Sequence, residues 1–124
     1  MAKKLNVLVD TDVFIDYFNH RLFALLFESK RYQVYYSVVT KKELLSKQGL
    51  KDQEKREIKK TLKRYRLVSL EPPILQQYEE LRRQHPTIGK EDCLIAATAI
   101  CKRFPLATRN YKHYRIFKGL KLFF

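Results

Sequence analysis

Short apolar runs alternate with stretches of helical period along this chain. Residues 5–10 are an apolar run ending on Asp10, which predicts a buried strand. Helices are expected from there through about residue 18 and again over 21–28. Residues 32–37 are aromatic and β-branched, hence a second strand. Residues 40–47 read as helix, Gly49 breaks it, and 51–65 resume as a charged helix. A short strand is expected over 67–70. Pro72-Pro73 opens a helix that continues to about residue 85, and Pro86 and Gly89 mark a loop. Residues 90–103 form the least polar helix, where Ala96, Ala97 and Ala99 permit close packing. Short strands are expected over 104–107 and 121–124.

Strands alternating with helices predict an α/β fold around a central, mostly parallel sheet of four to five strands. In such sheets ligands bind beyond the carboxyl ends of the strands. Asp10 ends the first strand, Thr40 follows the second, and Thr108-Arg109-Asn110 follows the strand over 104–107. The helix carrying Asp92 needs only to place its first turn at that same edge.

Bulk composition narrows the partners. At 124 residues the chain is one domain, 1–124, and 45% apolar with 13% aromatic residues gives it a core and excludes disorder. Only 3 Gly and 4 Pro punctuate it, so linkers are short. The net charge of +13, from 26 Lys and Arg against 13 Asp and Glu, favours a polyanion. Nucleic acid is the usual one, though an anionic membrane surface or an acidic protein would also fit. No stretch has the 18 or more apolar residues of a membrane helix, and the start is not a signal peptide. Cys93 and Cys101 fall eight residues apart on one expected helix, roughly 12 Å, too far for a disulfide. Free thiols without an export signal point to the cytoplasm. Neither cysteine has a histidine at zinc spacing.

Against this basic background, three acids stand beside segments expected to be buried: Asp10, Glu43 and Asp92. A carboxylate next to a core needs a partner, because desolvating a lone charge is expensive. Three that converge make a site for a hard divalent cation, and such a site in a basic protein suits chemistry on a phosphodiester.

Each acid has a structural explanation as well. An Asp between strand and helix often caps the helix, although Thr11 or Asp12 could do so and leave Asp10 free. Asp16, on the same helix, is expected to face solvent. Thr40-x-x-Glu43 matches the capping box, which from spacing alone is the stronger explanation of Glu43. Asp92 lies in a first helical turn, where the dipole favours negative charge. It also shares a face with Ile95, Ala96 and Ala99 and so leans toward the core, which favours it over Glu91. No acid follows Asp92, so any further ligand from the C-terminal third must be neutral, such as Asn110 or the Thr108 hydroxyl. Asn110 could equally be a turn or N-cap residue.

Four stretches together carry a resemblance: Val9-Asp10-Thr11-Asp12-Val13-Phe14-Ile15-Asp16; Thr40-x-x-Glu43-Leu44; Asp92 through Ala99; and Ala107-Thr108-Arg109-Asn110-Tyr111-Lys112-His113-Tyr114 followed by Gly119-Leu120. In order and spacing, over nearly the whole chain, they resemble the PIN-domain ribonucleases, and within them the VapC toxins of toxin–antitoxin pairs. The resemblance implies a PIN-like three-layer fold. It implies Asp10, Glu43 and Asp92 as the acidic site for Mg²⁺ or Mn²⁺, with Asn110 in the fourth position. It further implies a homodimer, a cognate antitoxin and cleavage of RNA.

With a cation held by Asp10 and Asp92, Glu43 could orient or deprotonate an attacking water. His20, His85 and His113 are scattered, no Gly-rich phosphate loop is present, and no serine or cysteine nucleophile has an evident partner. Residues 93–124 hold seven Lys or Arg, no acid, and interleaved Tyr111, Tyr114 and Phe117. That mixture suits single-stranded nucleic acid, or else the aromatics are core and the lysines are solvated. Arg109 and Lys112 flank Asn110 and are the favoured RNA contacts. The block from Lys47 to Arg66 reads as an ordinary charged helix with i,i+4 pairs, or as a partner's docking face. Two other functions compete: a PIN nuclease of RNA maturation or DNA processing, and a non-catalytic basic RNA-binding module.

Overall fold

The computed structural model describes residues 3–124. Its sheet is formed by β1 (Leu5–Val9), β2 (Tyr32–Ser37), β3 (Arg66–Val68) and β4 (Leu106–Ala107), in the order β3-β2-β1-β4, with every pairing parallel. The helices are α1 (Thr11–His20), α2 (Ala24–Glu28), α3 (Val38–Leu45), α4 (Asp52–Leu62), α5 (Pro72–Gln84), α6 (Lys90–Lys102) and α7 (Tyr111–Tyr114).

Side chains alternate across the strands, and each face of the sheet acquires its own core. Leu8 and Leu106 pack with Ile74, Leu81, Ile95 and Ala96 of α5 and α6. Val7, Val9, Val34 and Tyr36 pack with Val13, Phe14, Leu26, Phe27, Leu44 and Leu62 on the other side. The result is the expected three-layer α/β arrangement.

The chain moves outward from β1 through β2 to β3, then returns to lay β4 on the other side of β1. The order therefore reverses between β1 and β4, and the carboxyl ends of these two strands flank a switch-point crevice. Helix α6 leads into β4, so it runs back against the strand direction and sets its first turn, with Asp92, at the carboxyl edge. Helices α1 and α3 begin at that edge because they follow β1 and β2 directly.

Several elements depart from expectation. Helix α3 starts at Val38, capped by Ser37, whose hydroxyl accepts from the Thr40 amide at 3.2 Å. Thr40 and Glu43 therefore form no capping box. Arg21 and Phe23 adopt left-handed backbone, which confines the second helix to Ala24–Glu28. The strand expected over 121–124 is reduced to a single parallel bridge between Leu122 and Leu106. Helix α7 has no counterpart among the expected elements, because a single turn is too short to show a period.

Candidate active site

Asp10 is the N-cap of α1, a role that neither Thr11 nor Asp12 takes over. Its Oδ1 accepts from the Thr11 amide at 2.8 Å. Its Oδ2 accepts from the Thr108 hydroxyl at 2.8 Å, a bond that spans the gap between the ends of β1 and β4. Asp10 is 7% exposed. Burial is the main reason its pKa rises from 3.8 to about 7; Asp12 and Asp92 push it further up, and the Thr108 and Thr11 bonds hold it down.

Thr11 also serves the second acid. Its hydroxyl donates to Glu43 Oε1 at 2.8 Å, and Thr40 Oγ1 lies 3.1 Å from the Thr11 hydroxyl oxygen. Thr40 is wholly buried, whereas Glu43 is exposed at the rim. The third acid, Asp92, has a side chain 34% exposed and accepts at Oδ1 from the Tyr114 hydroxyl at 3.1 Å. Glu43 and Asp92 line one shallow cleft together with Lys42, Ser46, Gly89 and Glu91.

The loop after β4 is pinned to α1. The Arg109 amide donates to Asp12 Oδ2 at 3.2 Å, the Arg109 guanidinium pairs with Asp16 at 2.6 Å, and the Asn110 amide N–H donates to Thr108 Oγ1 at 3.0 Å. Asp16 does not face solvent as its sequence position suggested, for its side chain is 14% exposed. It follows Asp12 by one helical turn and so faces the same loop. The Asn110 side-chain amide turns to His113 Nδ1 at 3.0 Å, and that nitrogen is 3.8 Å from Asp92 Oδ2. Asp12 is pushed above the usual carboxylate range, chiefly by burial, and its Oδ1 is buried without a hydrogen bond.

Sequence reasoning thus placed Asp10, Glu43, Asp92, Thr11, Thr40 and Thr108 at one edge, where the structure also has them. It gave no part there to Asp12, His113 or Tyr114. The signal for Asp12 was its place two residues after Asp10. Tyr114 carried no signal, because in an aromatic stretch a core ring and a site ring look alike. Of the interleaved aromatics, Tyr114 and Phe117 belong to the core, and Tyr111 alone is open to solvent, at 50%. Lys112 is exposed, while the Arg109 guanidinium is engaged by Asp16. Among the described residues, no ion pair forms within α4, so the expected i,i+4 pairs are not made.

Among the described residues, no three His, Cys, Asp or Glu side chains are drawn together tightly enough to be a ready-made metal cage. Carboxylate and hydroxyl oxygens nevertheless dominate this edge, and the Asp12 Oδ1 is buried there without a hydrogen-bond partner. That is the donor chemistry of a hard cation.

Fold and site together define a doubly wound, all-parallel α/β domain with an acidic site at its switch point. The PIN domain family model matches residues 7–118, and the chain belongs to that family. It is similar to Ribonuclease VapC1 of Methanocaldococcus jannaschii, 31% identical over 124 aligned positions that cover 94% of this chain and 86% of that protein. Among solved structures it resembles VapBC2 from Rickettsia felis bound to a promoter DNA fragment, with a TM-score of 0.82 and 24% identity, covering 95% of this chain and 97% of that one. It also resembles a toxin–antitoxin complex from Klebsiella pneumoniae, with a TM-score of 0.77 and 25% identity, covering 92% and 94%. No helix among the described residues is long and apolar enough to cross a membrane.

Proposed function

We propose that this protein is a Mg²⁺- or Mn²⁺-dependent endoribonuclease and the toxin of a type II toxin–antitoxin pair. One observation carries the catalytic half of that reading. The chain has a net charge of +13, yet among the described residues Asp10 and Glu43 are held by hydroxyl and amide donors and by no Lys or Arg. Among the same residues, the hydrogen bond to Asp92 comes from a phenol. Carboxylates left without a basic partner amid so much positive charge are open to a cation. The likeness to VapC ribonucleases and to toxin–antitoxin complexes supports the choice of RNA and of an antitoxin partner. The homodimer belongs to the same proposal, as does a cytoplasmic setting, with which the free thiols of Cys93 and Cys101 agree.

Asp10, Asp92 and Glu43 would hold the ion, with Asn110 and Thr108 beside them. When bound, a divalent cation supplies charge to the phosphate and makes water a stronger nucleophile near neutral pH. Glu43, the exposed acid, orients the attacking water and takes its proton. The water oxygen bonds to phosphorus as the P–O3′ bond breaks, the departing O3′ takes a proton from solvent water, and the products are a 5′-phosphate and a 3′-hydroxyl. Lys112 contacts the RNA backbone from the exposed side of α7, and Arg109 adds charge where its pairing with Asp16 allows.

The test is RNA cleavage by purified protein with Mn²⁺, with Mg²⁺ and with chelator, read by sequencing the new RNA ends. Asp10→Asn and Asp92→Asn are expected to abolish cleavage and keep the fold. Cleavage retained in both variants, or indifferent to chelation, would reject the site and leave a basic RNA-binding module.

A further inference from the structure

We propose that Tyr114 is a positioning residue of the acidic site: its hydroxyl sets the orientation of the Asp92 carboxylate and thereby governs how tightly the site takes up a divalent cation. The inference rests on the reading of Asp92 as a cation-binding carboxylate.

Asp92 needs such a support. It sits in the first turn of α6 with a third of its side chain in solvent, so packing alone does not select its rotamer. Tyr114 is its opposite: 0% exposed and lodged in the core beside Phe117, with ring centroids 6.2 Å apart. A ring so enclosed has one orientation, and its oxygen is a fixed point beside Asp92. From there it donates to Asp92 Oδ1 at 3.1 Å. The bond engages Oδ1, while Oδ2 lies 3.8 Å from His113 Nδ1. Helix α7, which carries the phenol, follows directly on the loop whose Thr108 and Arg109 bond to Asp10 and Asp12 at the start of α1. Asp92 on α6 is thereby keyed to the strand end that holds Asp10.

The chemistry of the donor matters as much as its position. A lysine or arginine would hold Asp92 equally well but would cancel its charge and repel the ion. A phenol orients the carboxylate and leaves the charge intact. Packing gives no reason for the oxygen, since a phenylalanine ring would fill the same space without a polar atom to satisfy. Among the described residues, Asp92 is the hydroxyl's hydrogen-bond partner.

The test compares wild type, Tyr114→Phe, Asp92→Asn and the double variant, with Mn²⁺ alone as the probe. Cation-induced stabilisation is read by thermal unfolding across an Mn²⁺ titration, and RNA cleavage is read across the same concentrations. Without cation, Tyr114→Phe is expected to melt within a few degrees of wild type, because the ring packing is kept. Its half-saturating Mn²⁺ is expected to rise roughly tenfold or more, as is typical when the partner of a metal ligand is removed. Cleavage should recover as Mn²⁺ is raised. In the Asp92→Asn background, adding Tyr114→Phe should change nothing further, because the hydroxyl acts through that carboxylate. Wild-type Mn²⁺ dependence in Tyr114→Phe, alongside weakened binding in Asp92→Asn, would overturn this inference and leave the site intact. Unchanged binding and cleavage in Asp92→Asn would remove the site itself, and the inference with it.

Discussion

Asp10→Asn separates what the acidic site does from what it costs the fold. The folded pKa of Asp10 is about 7 against 3.8 for the free side chain. Between those values the native state holds a proton that the unfolded chain has already released. The native state binds more protons, so stability falls as pH rises through the window and levels off above about 7. Three pKa units at about 1.4 kcal/mol each give roughly 4 kcal/mol as an upper bound. That is a large share of the 5–15 kcal/mol typical of a domain. Asparagine carries no charge to desolvate, its carbonyl can accept from the Thr11 amide, and its NH₂ can donate to Thr108 Oγ1. The two proteins should therefore be about equally stable near pH 4. By pH 8 the variant should be more stable by up to about 4 kcal/mol, a melting shift of order 10 °C. Denaturant unfolding of both proteins from about pH 4 to pH 8, in chelator, measures the difference. Parallel pH profiles, or a variant weaker than wild type at pH 8, would refute the account of Asp10 as a charge held at the fold's expense. The same variant should be inactive on RNA.

Thr108→Val removes the donor to Asp10 and the acceptor of the Asn110 amide N–H, so it should cost about 1–3 kcal/mol. It also removes a bond that holds the Asp10 pKa down, so the pH-dependent loss should extend to higher pH in the same unfolding series. Lys112→Ala should weaken RNA binding and lower the slope of log affinity against log salt by about one, measured by fluorescence anisotropy. Arg109→Ala should cost less than about 1 kcal/mol of stability, since its ion pair is 58% exposed on the arginine side. Ser37→Ala should cost about 1–2 kcal/mol through the lost cap of α3, and a crystal structure or spectra of the variant should show the Thr11–Glu43 bond loosened.

Much of the fold was legible because its signals are local. The run before Asp10, the aromatic and β-branched stretch over Tyr32–Ser37 and the Pro72-Pro73 helix start each declare themselves within a few residues, and each appears where expected. The helix over Lys90–Lys102 likewise shows its buried face in Ile95, Ala96 and Ala99. Boundaries failed where a neighbour competed. Ser37 caps α3 because its hydroxyl reaches the Thr40 amide, and the more conspicuous Thr40-x-x-Glu43 pattern then falls inside the helix. The left-handed backbone at Arg21 and Phe23 was invisible, since neither residue type advertises it.

By itself the sequence determined the order of the elements as far as Ala107, the parallel sheet and the strand-end placement of Asp10, because hydrophobic period and turn chemistry act over a few residues. It also marked Glu43 and Asp92 as acids out of keeping with their surroundings. Only the tertiary structure decided which groups hold them. Thr11 reaches across to Glu43, Thr108 closes on Asp10 from 98 residues away, and Tyr114 rises from the core to Asp92. Those bonds depend on where helices dock against the sheet, and docking is set by the summed packing of both cores rather than by any stretch of chain that could be read alone.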